Sequence, residues 1–373
     1  MSSSSPAQHV IIIGGGIGGL CLAQGLKKHG IPFTIFEHDP TPTYRTQGYR
    51  LRINPDGYSA LEASLSPAIL ELFRKSTAEF RPGFTFLDPR TAEASELQFG
   101  MAFKKYIVLD DGSVQVTFDN GHQAIGSVLI GVDGTHSRVR KQCAADATQL
   151  LDTDGRAIYG KTLLTPAIEA LFPPAAITST TLLTSQSPHM SLFLEPIRFT
   201  QGDPGDLAPH LPSVQDYIYW VLIGRSVHFQ TQGREDSETL KLSAQQVAEL
   251  SLEMTQGWHP SVRALFELQE RDLCSLISVS TMSPELKPWA STQVTLMGDA
   301  IHAMTPAGIG ANVALQDANV LLASFLEFGV GAEAIEAYET QMRVYAREAI
   351  VSSTGAGKKM YGQPDFSDMK PLQ

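Results

Sequence analysis

The stretch that most restricts the fold is HVIIIGGGIGGLCLAQGLKKHGIPFTIFEHD, His9 to Asp39. It reads as an apolar strand from Val10 to Ile13, a glycine turn, an amphipathic helix from Leu20 to His29 and a second strand from Phe33 to Phe36. That is the opening of a βαβ unit. Gly14, Gly16 and Gly19 give G-x-G-x-x-G between strand and helix. In that setting the first glycine permits a tight turn, the second lets a pyrophosphate approach the backbone, and the third lets the helix pack close to the strand. Glu37, at the end of the second strand, stands where a carboxylate accepts hydrogen bonds from a ribose 2′-hydroxyl. A carboxylate there disfavours a 2′-phosphate, so the expected resident nucleotide is FAD or NAD rather than NADP.

Length and composition set the frame for this unit. The 373 residues, 43% of them apolar, suffice for one large or two moderate domains. Lys plus Arg is 28 against 39 Asp plus Glu, a formal charge of −11, which argues against a surface built to track nucleic acid. Cys21, Cys143 and Cys274 are odd in number and far apart, so neither a disulfide framework nor a zinc site is expected. The N-terminal MSSSSPAQ carries no leader pattern and no apolar run reaches a membrane span, so the expectation is a cytoplasmic protein without a membrane partner.

Further along, KKYIVLDDGSVQVTFDNGHQAIGSVLIGVDG holds three strand-like runs joined at Asp110-Asp111-Gly112 and Asp119-Asn120-Gly121, both hairpin signals. From about Asp152 to Pro288 the pattern is several alternating strands with a helical piece from Ser243 to Thr255. QVTLMGD then supplies another strand, followed by helices from Ala311 to Phe328 and from Ala332 to Ile350, while the tail YGQPDFSDMKPLQ reads as loop. The expected architecture is α/β: a Rossmann-like nucleotide domain formed by residues 1–151 and completed by 289–373, with a mainly β substrate domain, 152–288, inserted between them.

Two more motifs carry chemistry. LIGVDGTHSRVR ends a strand in Asp133-Gly134 and continues through Ser137, Arg138 and Arg140; by itself it is equally a capped helix with exposed arginines. LMGDAIHAMTPAGIGANVALQDA places Gly298-Asp299 at a strand end, where ligands meet an open sheet, and then His302, Pro306, Gly308, Gly310 and Asn312 ahead of a helix. Gly308 and Gly310 allow backbone to approach a planar ligand, the helix start faces an anion, and His302 is expected to pack beside the helix.

In this order the three motifs resemble the FAD-dependent aromatic hydroxylases, the group A flavoprotein monooxygenases, over residues 9 to about 345. The resemblance implies that Asp299 binds the ribityl chain, that the glycine loop and helix start approach the isoalloxazine, and that Asp133-Gly134 serves FAD and the pyridine nucleotide with Arg138 on a phosphate. The run GYRLRINPDGYSAL looks like the family's segment after the second strand and places Arg50 near the flavin. It further implies a monooxygenase in which NADPH or NADH transiently reduces FAD, and O2 is used by way of a flavin C4a-hydroperoxide to hydroxylate or epoxidise an aromatic or polycyclic small molecule. Two departures stand out. Pro306 and Asn312 are one residue closer together than in the family's P-x-x-G-x-G-x-N, implying a tightened loop. Between Leu87 and Tyr106 there is no Arg-x-x-Leu helix, which costs a flavin-contacting arginine.

The middle domain should supply the substrate wall. In DYIYWVLIG the period of two puts Tyr217, Tyr219 and Val221 on one face and Trp220 on the other. Tyr217 and Tyr219 are the candidate wall, with Arg198 and His228 as groups able to bind or ionise a phenol and His189 a weaker choice. Competing expectations are a flavin-dependent dehydrogenase or reductase without oxygen insertion, and a truncated non-catalytic relative with impaired FAD binding. Monomer and homodimer stay equally open.

Overall fold

In the computed structural model the described residues are 8–41, 44, 51–77, 97–172, 177–199, 213–289 and 293–372. The nucleotide half is a five-stranded parallel sheet in the order β13-β7-β1-β2-β3. β1 (Val10–Ile13) is central and pairs in register with β2 (Phe33–Phe36) and β7 (Val128–Gly131). β13 (Val294–Leu296) and β3 (Leu97–Gln98) form the edges. The run Val-Ile-Ile-Ile of β1 is apolar throughout because helices cover both faces of such a sheet, and all four residues are buried.

The first helix, Ile17–Lys28, starts three residues earlier than its apolar periodicity suggests, since Gly18 and Gly19 lie inside it. Gly18 faces a second helix, Gly310–Phe328, closely enough that an added Cβ would stand 3.2 Å from the Ala314 carbonyl oxygen. That second helix buries Ala314, Ala318, Leu321, Leu322 and Phe325, the spacing of a single helical face.

The third of the strand-like runs divides between two sheets. β4 (Phe103–Val108), β5 (Val114–Phe118) and β6 (Gln123–Gly126) form an antiparallel meander, and the chain then crosses at Ser127 into β7 of the parallel sheet. Gly126 makes the crossing fit: a Cβ there would lie 2.7 Å from the His9 carbonyl oxygen. Gly112 and Gly121 at the two hairpin turns both adopt left-handed φ, as their Asp-Gly and Asn-Gly signals require.

The middle of the chain forms a six-stranded sheet, β12-β8-β11-β10-β9 with β14 also on β8. Its long strands are β8 (Leu150–Leu163), β9 (Thr181–Gln186), β10 (His189–Ile197), β11 (Tyr217–Arg225) and β12 (Ser275–Met282). β14 (Lys370–Pro371) comes from the tail that the sequence suggests is loop. One sheet face carries Ile158, Leu192, Leu194, Ile218, Trp220 and Leu222 beneath the helices Ala244–Met254 and Pro260–Glu267. The other carries Ala157, Ile197, Tyr217, Tyr219, Val221 and Ile223.

The helix Ala332–Tyr361 has 30 residues and is about 45 Å long at the α-helical rise, eleven residues beyond the end suggested by its sequence pattern. That length lets one element brace both halves. Tyr338 donates to the Leu296 carbonyl of β13 at 2.9 Å, and Tyr361 donates to Thr153 Oγ1 of β8 at 3.0 Å.

Candidate active site

All three glycine and aspartate motifs end strands at the carboxyl edge of the parallel sheet, the edge at which open α/β sheets bind ligands. The three fingerprint glycines have separable reasons. Gly14 has φ of +115°, and a Cβ on it would lie 2.3 Å from the Val132 carbonyl oxygen. A Cβ on Gly19 would lie 2.4 Å from the Gly14 carbonyl oxygen. Gly16, in contrast, is exposed and has nothing within 4 Å of its Cβ position. The protein's own packing therefore demands Gly14 and Gly19, while the space over Gly16 is left open at a helix start with no side-chain cap.

Glu37 lies beside this opening. Its Oε2 accepts from the Gly15 amide at 2.7 Å and its Oε1 from the Asp39 amide at 2.9 Å. A groove of about 190 Å³ runs from Gly14 past Phe36 and His38 to Met101, Asp133 and Arg138. A shallower depression beside it is lined by Lys104, Arg138, Lys141 and Gln142.

Asp133 caps the helix Arg138–Cys143, accepting from Ser137 Oγ at 2.5 Å and from the Arg138 amide at 2.8 Å. Arg138 is exposed and pairs with Asp119 at 2.6 Å. Arg140 is buried, and its guanidinium donates to the carbonyls of Thr135 at 2.8 Å and Ala300 at 2.6 Å. It thereby ties the Asp133-Gly134 loop to the Gly298-Asp299 loop. Gly134 and Gly298 both have left-handed φ.

Asp299 is accessible to solvent although protein atoms crowd around it. That crowding pushes its pKa up, partly offset by His302 and reinforced by Asp317. Behind it lies a polar cluster centred on the fully buried Asp317 and His302. Asp317 accepts from the Gly298 amide at 2.7 Å, from His302 Nε2 at 2.6 Å and from the Tyr345 hydroxyl at 2.6 Å. For His302, burial disfavours the cation, but the Asp317 carboxylate outweighs it and the net shift is upward. His302 thus packs beneath the site, as its place in the sequence suggests, and fixes the strand end that carries Asp299.

Pro306 and Gly308 lie in the loop before the helix Gly310–Phe328, Gly310 is its first residue, and Asn312 in its first turn is buried. The Asn312 amide is spent on the protein: Oδ1 accepts from the Asn54 amide at 2.7 Å, and Nδ2 donates to the carbonyls of Arg52 at 2.7 Å and Gly308 at 3.2 Å. Arg52 then spans the cleft. A Cβ on Gly308 would lie 3.1 Å from its Cδ, while its guanidinium reaches Thr180 Oγ1 at 2.9 Å and Glu195 at 3.6 Å and lies 5.5 Å from the Phe193 ring centroid. Burial pushes its pKa down to about 10, and Tyr219 opposes that shift. Arg50 lies outside the described residues, as does the first part, 87–96, of the stretch from Leu87 to Tyr106 that lacks the family's Arg-x-x-Leu helix; the described part, 97–106, carries β3 and the start of β4.

Arg52 places the loop against the sheet face that carries Tyr217 and Tyr219. Both tyrosines are buried there, and Trp220 is buried on the opposite face as the period of two requires. Tyr219 lies 6.3 Å from the rings of both Tyr159 and Phe193. Arg198 is instead paired with Glu169 at 2.6 Å and lies 4.0 Å from Asp216. His228 follows the far end of β11, and His189 begins β10. From Tyr219 to Arg225 alone is roughly 20 Å along the strand, so His228 is not brought to Tyr219. For His228, burial pushes the pKa down, and Arg225 adds to the effect.

Sequence reasoning missed Arg52, Lys161, Glu195, Asp317 and Tyr345, and it named Arg140 only within its motif, where the capped-helix reading has it exposed although the fold buries it. A signal existed for two of them: Lys161 in AIYGKTLL and Glu195 in LFLEPI are charges within otherwise apolar strands.

Comparison with known proteins bears on which group this cleft holds. The model of the FAD binding domain family matches residues 110–353, well over half of the chain. The chain belongs to that family. The model of an NAD(P)-binding Rossmann-like domain matches residues 12–76. Among curated relatives, the dual O-methyltransferase/FAD-dependent monooxygenase CTB3 of Cercospora beticola is 36% identical over 98% of this chain and 48% of its own. The dual enzyme elcB of Phaeosphaeria nodorum is 34% identical over 96% of this chain and 47% of its own. The chain thus spans about half the length of these relatives. It covers 92% of phnB, an FAD-dependent monooxygenase of Penicillium herquei, at 25% identity.

Among solved structures, a Photorhabdus luminescens protein assigned as an FAD-containing monooxygenase superposes with a TM-score of 0.78 and 29% identity, over 95% of this chain and 98% of that one. HpxO of Klebsiella pneumoniae, solved with FAD and uric acid, shares the fold with a TM-score of 0.70 at 20% identity, over 97% of this chain and 91% of that one.

The cleft fits FAD. The open space over Gly16 suits a pyrophosphate at the helix start, Glu37 and the groove beside it suit the adenosine end, and accessible Asp299 suits a ribityl hydroxyl. Among the described residues no helix is long and apolar enough to cross a membrane.

Proposed function

We propose that the chain is an FAD-dependent monooxygenase that uses NADPH or NADH and O2 to hydroxylate an aromatic small molecule. The balance is substrate C–H plus O2, NAD(P)H and H⁺ giving substrate C–OH, water and NAD(P)⁺. The observation that carries the reading is the span made by Arg52, from Gly308 of the loop to the face bearing Tyr219, Phe193 and Tyr159. It sets an aromatic wall across from the carboxyl edge that suits FAD. The relatives that join the same named activity to O-methyltransfer support an aromatic substrate, because a new ring hydroxyl is a methyl acceptor.

Bound in the cleft, FAD supplies the redox chemistry by which nicotinamide electrons activate O2. The side chains provide binding, orientation and exclusion of water. Glu37 would hold the ribose, the start of the first helix the pyrophosphate, and Asp133-Gly134 and Gly298-Asp299 the flavin, while Arg138, exposed but paired with Asp119, would exchange that carboxylate for a phosphate of the nicotinamide nucleotide. Arg52 and Asn312 fix the loop against the wall. Tyr217 and Tyr219 orient the substrate ring and keep the reacting carbon out of water, which favours oxygen transfer over loss of peroxide.

The test is the absorption spectrum of desalted protein, followed by NADPH or NADH under air with a panel of phenols. The expected result is bound flavin, reduction and reoxidation, and a product carrying one oxygen from ¹⁸O2. Nicotinamide oxidation with no labelled product identifies a reductase and overturns the reading, as does protein that neither retains nor takes up FAD.

A further inference from the structure

We propose that Lys161 is the specificity residue that receives an oxyanion of the aromatic substrate, so that the wall selects ring anions over neutral rings. The inference rests on the reading of the site given above. Lys161 lies in β8, where its register partner is Tyr219, whose partner on the next strand is Glu195. Cross-strand partners share a face, so Lys161, Tyr219 and Glu195 form one row across the wall. The ammonium of Lys161 leans along the strand to 4.8 Å from the ring centroid of Tyr217, the other tyrosine of that wall.

The charges of the row are unequally served. Glu195 has Arg52 at 3.6 Å. Lys161 is half-buried, and among the described residues no carboxylate reaches it within salt-bridge distance; the Tyr217 ring is its partner. A ring quadrupole offsets only part of the desolvation of an ammonium, so the group still favours an anion brought to it. Burial accordingly holds its pKa down, with no neighbouring carboxylate opposing the shift. An aromatic molecule lying against Tyr217 and Tyr219 brings a ring oxyanion to this ammonium, and that contact fixes which edge of the ring faces the wall. A phenolate and a ring carboxylate offer the same chemistry.

The experiment uses the purified protein with its flavin, and compares Lys161→Met and Lys161→Arg with wild type, flavin content serving as the check on folding. Each is titrated with 4-nitrophenol near that phenol's own pKa, with 4-nitrobenzoate and with neutral nitrobenzene. The expected result is that wild type and K161R bind an anion and, for the phenol, raise its phenolate absorbance. K161M should lose affinity for the anion by about tenfold or more while binding nitrobenzene as before. Lys161 dependence with 4-nitrophenol assigns a phenolate, and dependence only with 4-nitrobenzoate assigns a carboxylate; both uphold the proposal. Equal anion binding by K161M and wild type overturns it, as does flavin-loaded protein that binds neither anion. Failure of the monooxygenase reading shows elsewhere, as nicotinamide oxidation without labelled product while Lys161-dependent anion binding persists.

Discussion

Asn312 and Arg52 are joined by a 2.7 Å hydrogen bond from the side-chain amide to the backbone carbonyl, across 260 positions of sequence. Because the same amide also holds Asn54 and Gly308, one buried side chain aligns residues 52–54 with the glycine loop. Asn312→Ala should cost about 2–3 kcal/mol, since it leaves buried backbone groups without partners. Asn312→Asp should be worse, because a carboxylate would face the carbonyls of Arg52 and Gly308. Urea midpoints for the two variants test the order, and stability equal to wild type in either would refute the clasp.

The glycine fingerprint predicts a separation of fold from ligand. Gly19→Ala places a Cβ 2.4 Å from a carbonyl oxygen and should destabilise flavin-free protein by about 1–3 kcal/mol. Gly16 has an ordinary φ of −72° and open space, so Gly16→Val should leave flavin-free stability nearly unchanged. It should instead abolish flavin retention, because the side chain fills the pyrophosphate's approach. A G16V protein that holds stoichiometric FAD would move the nucleotide elsewhere.

The parts legible in the sequence are those whose cause is local. Strand, turn and helix from Val10 to Lys28 follow from apolar runs and glycine placement within about twenty residues. The placement of Tyr219 opposite Trp220 follows from strand period alone. What was not legible depends on distant partners. The pairing of His302 with Asp317 and of Asp317 with Tyr345 joins distant positions, as do those of Arg140 with Ala300 and Arg52 with Glu195. No periodicity encodes such pairs. The tail strand β14 is equally opaque, because two residues acquire strand form only by pairing with β8. Arg198 and His228, plausible by chemistry, are placed by the fold beside Glu169 and at the far end of β11.

The two faces of β11 give a paired prediction. Trp220 is fully buried and donates to Thr162 Oγ1 at 3.2 Å, so Trp220→Ala should cost about 3–5 kcal/mol. Tyr219→Phe preserves the ring that packs against Tyr159 and Phe193, and should change stability by less than about 1 kcal/mol. Its effect should fall on substrate-stimulated nicotinamide oxidation, with KM for the aromatic substrate rising several-fold. Thermal unfolding and steady-state kinetics on both variants decide the matter, and a Y219F enzyme with unaltered kinetics would remove that hydroxyl from the wall.

Asp299 and His302 should make flavin-free protein less stable as pH rises. The folded-state pKa of Asp299 is raised above its ordinary 3.8, so its ionised form is disfavoured in the fold and the cost grows as pH climbs from 3.8 through the raised value. The folded-state pKa of His302 is raised above 6.5, so the stability of its pair with Asp317 is full below 6.5 and declines as pH rises through the folded value. Asp299→Asn removes the first effect and largely retains the second. Flavin-free D299N should therefore be more stable than wild type near neutral pH, and the difference should shrink as pH falls toward 3.8. The same variant should retain less flavin, because the amide replaces the carboxylate proposed to accept from the ribityl chain. Denaturation of both proteins across the pH range, with flavin content after desalting, checks both statements. A difference of the opposite sign, or one independent of pH, would show that Asp299 is not held in the fold at a cost. Unchanged flavin content would show that its carboxylate does not serve the cofactor.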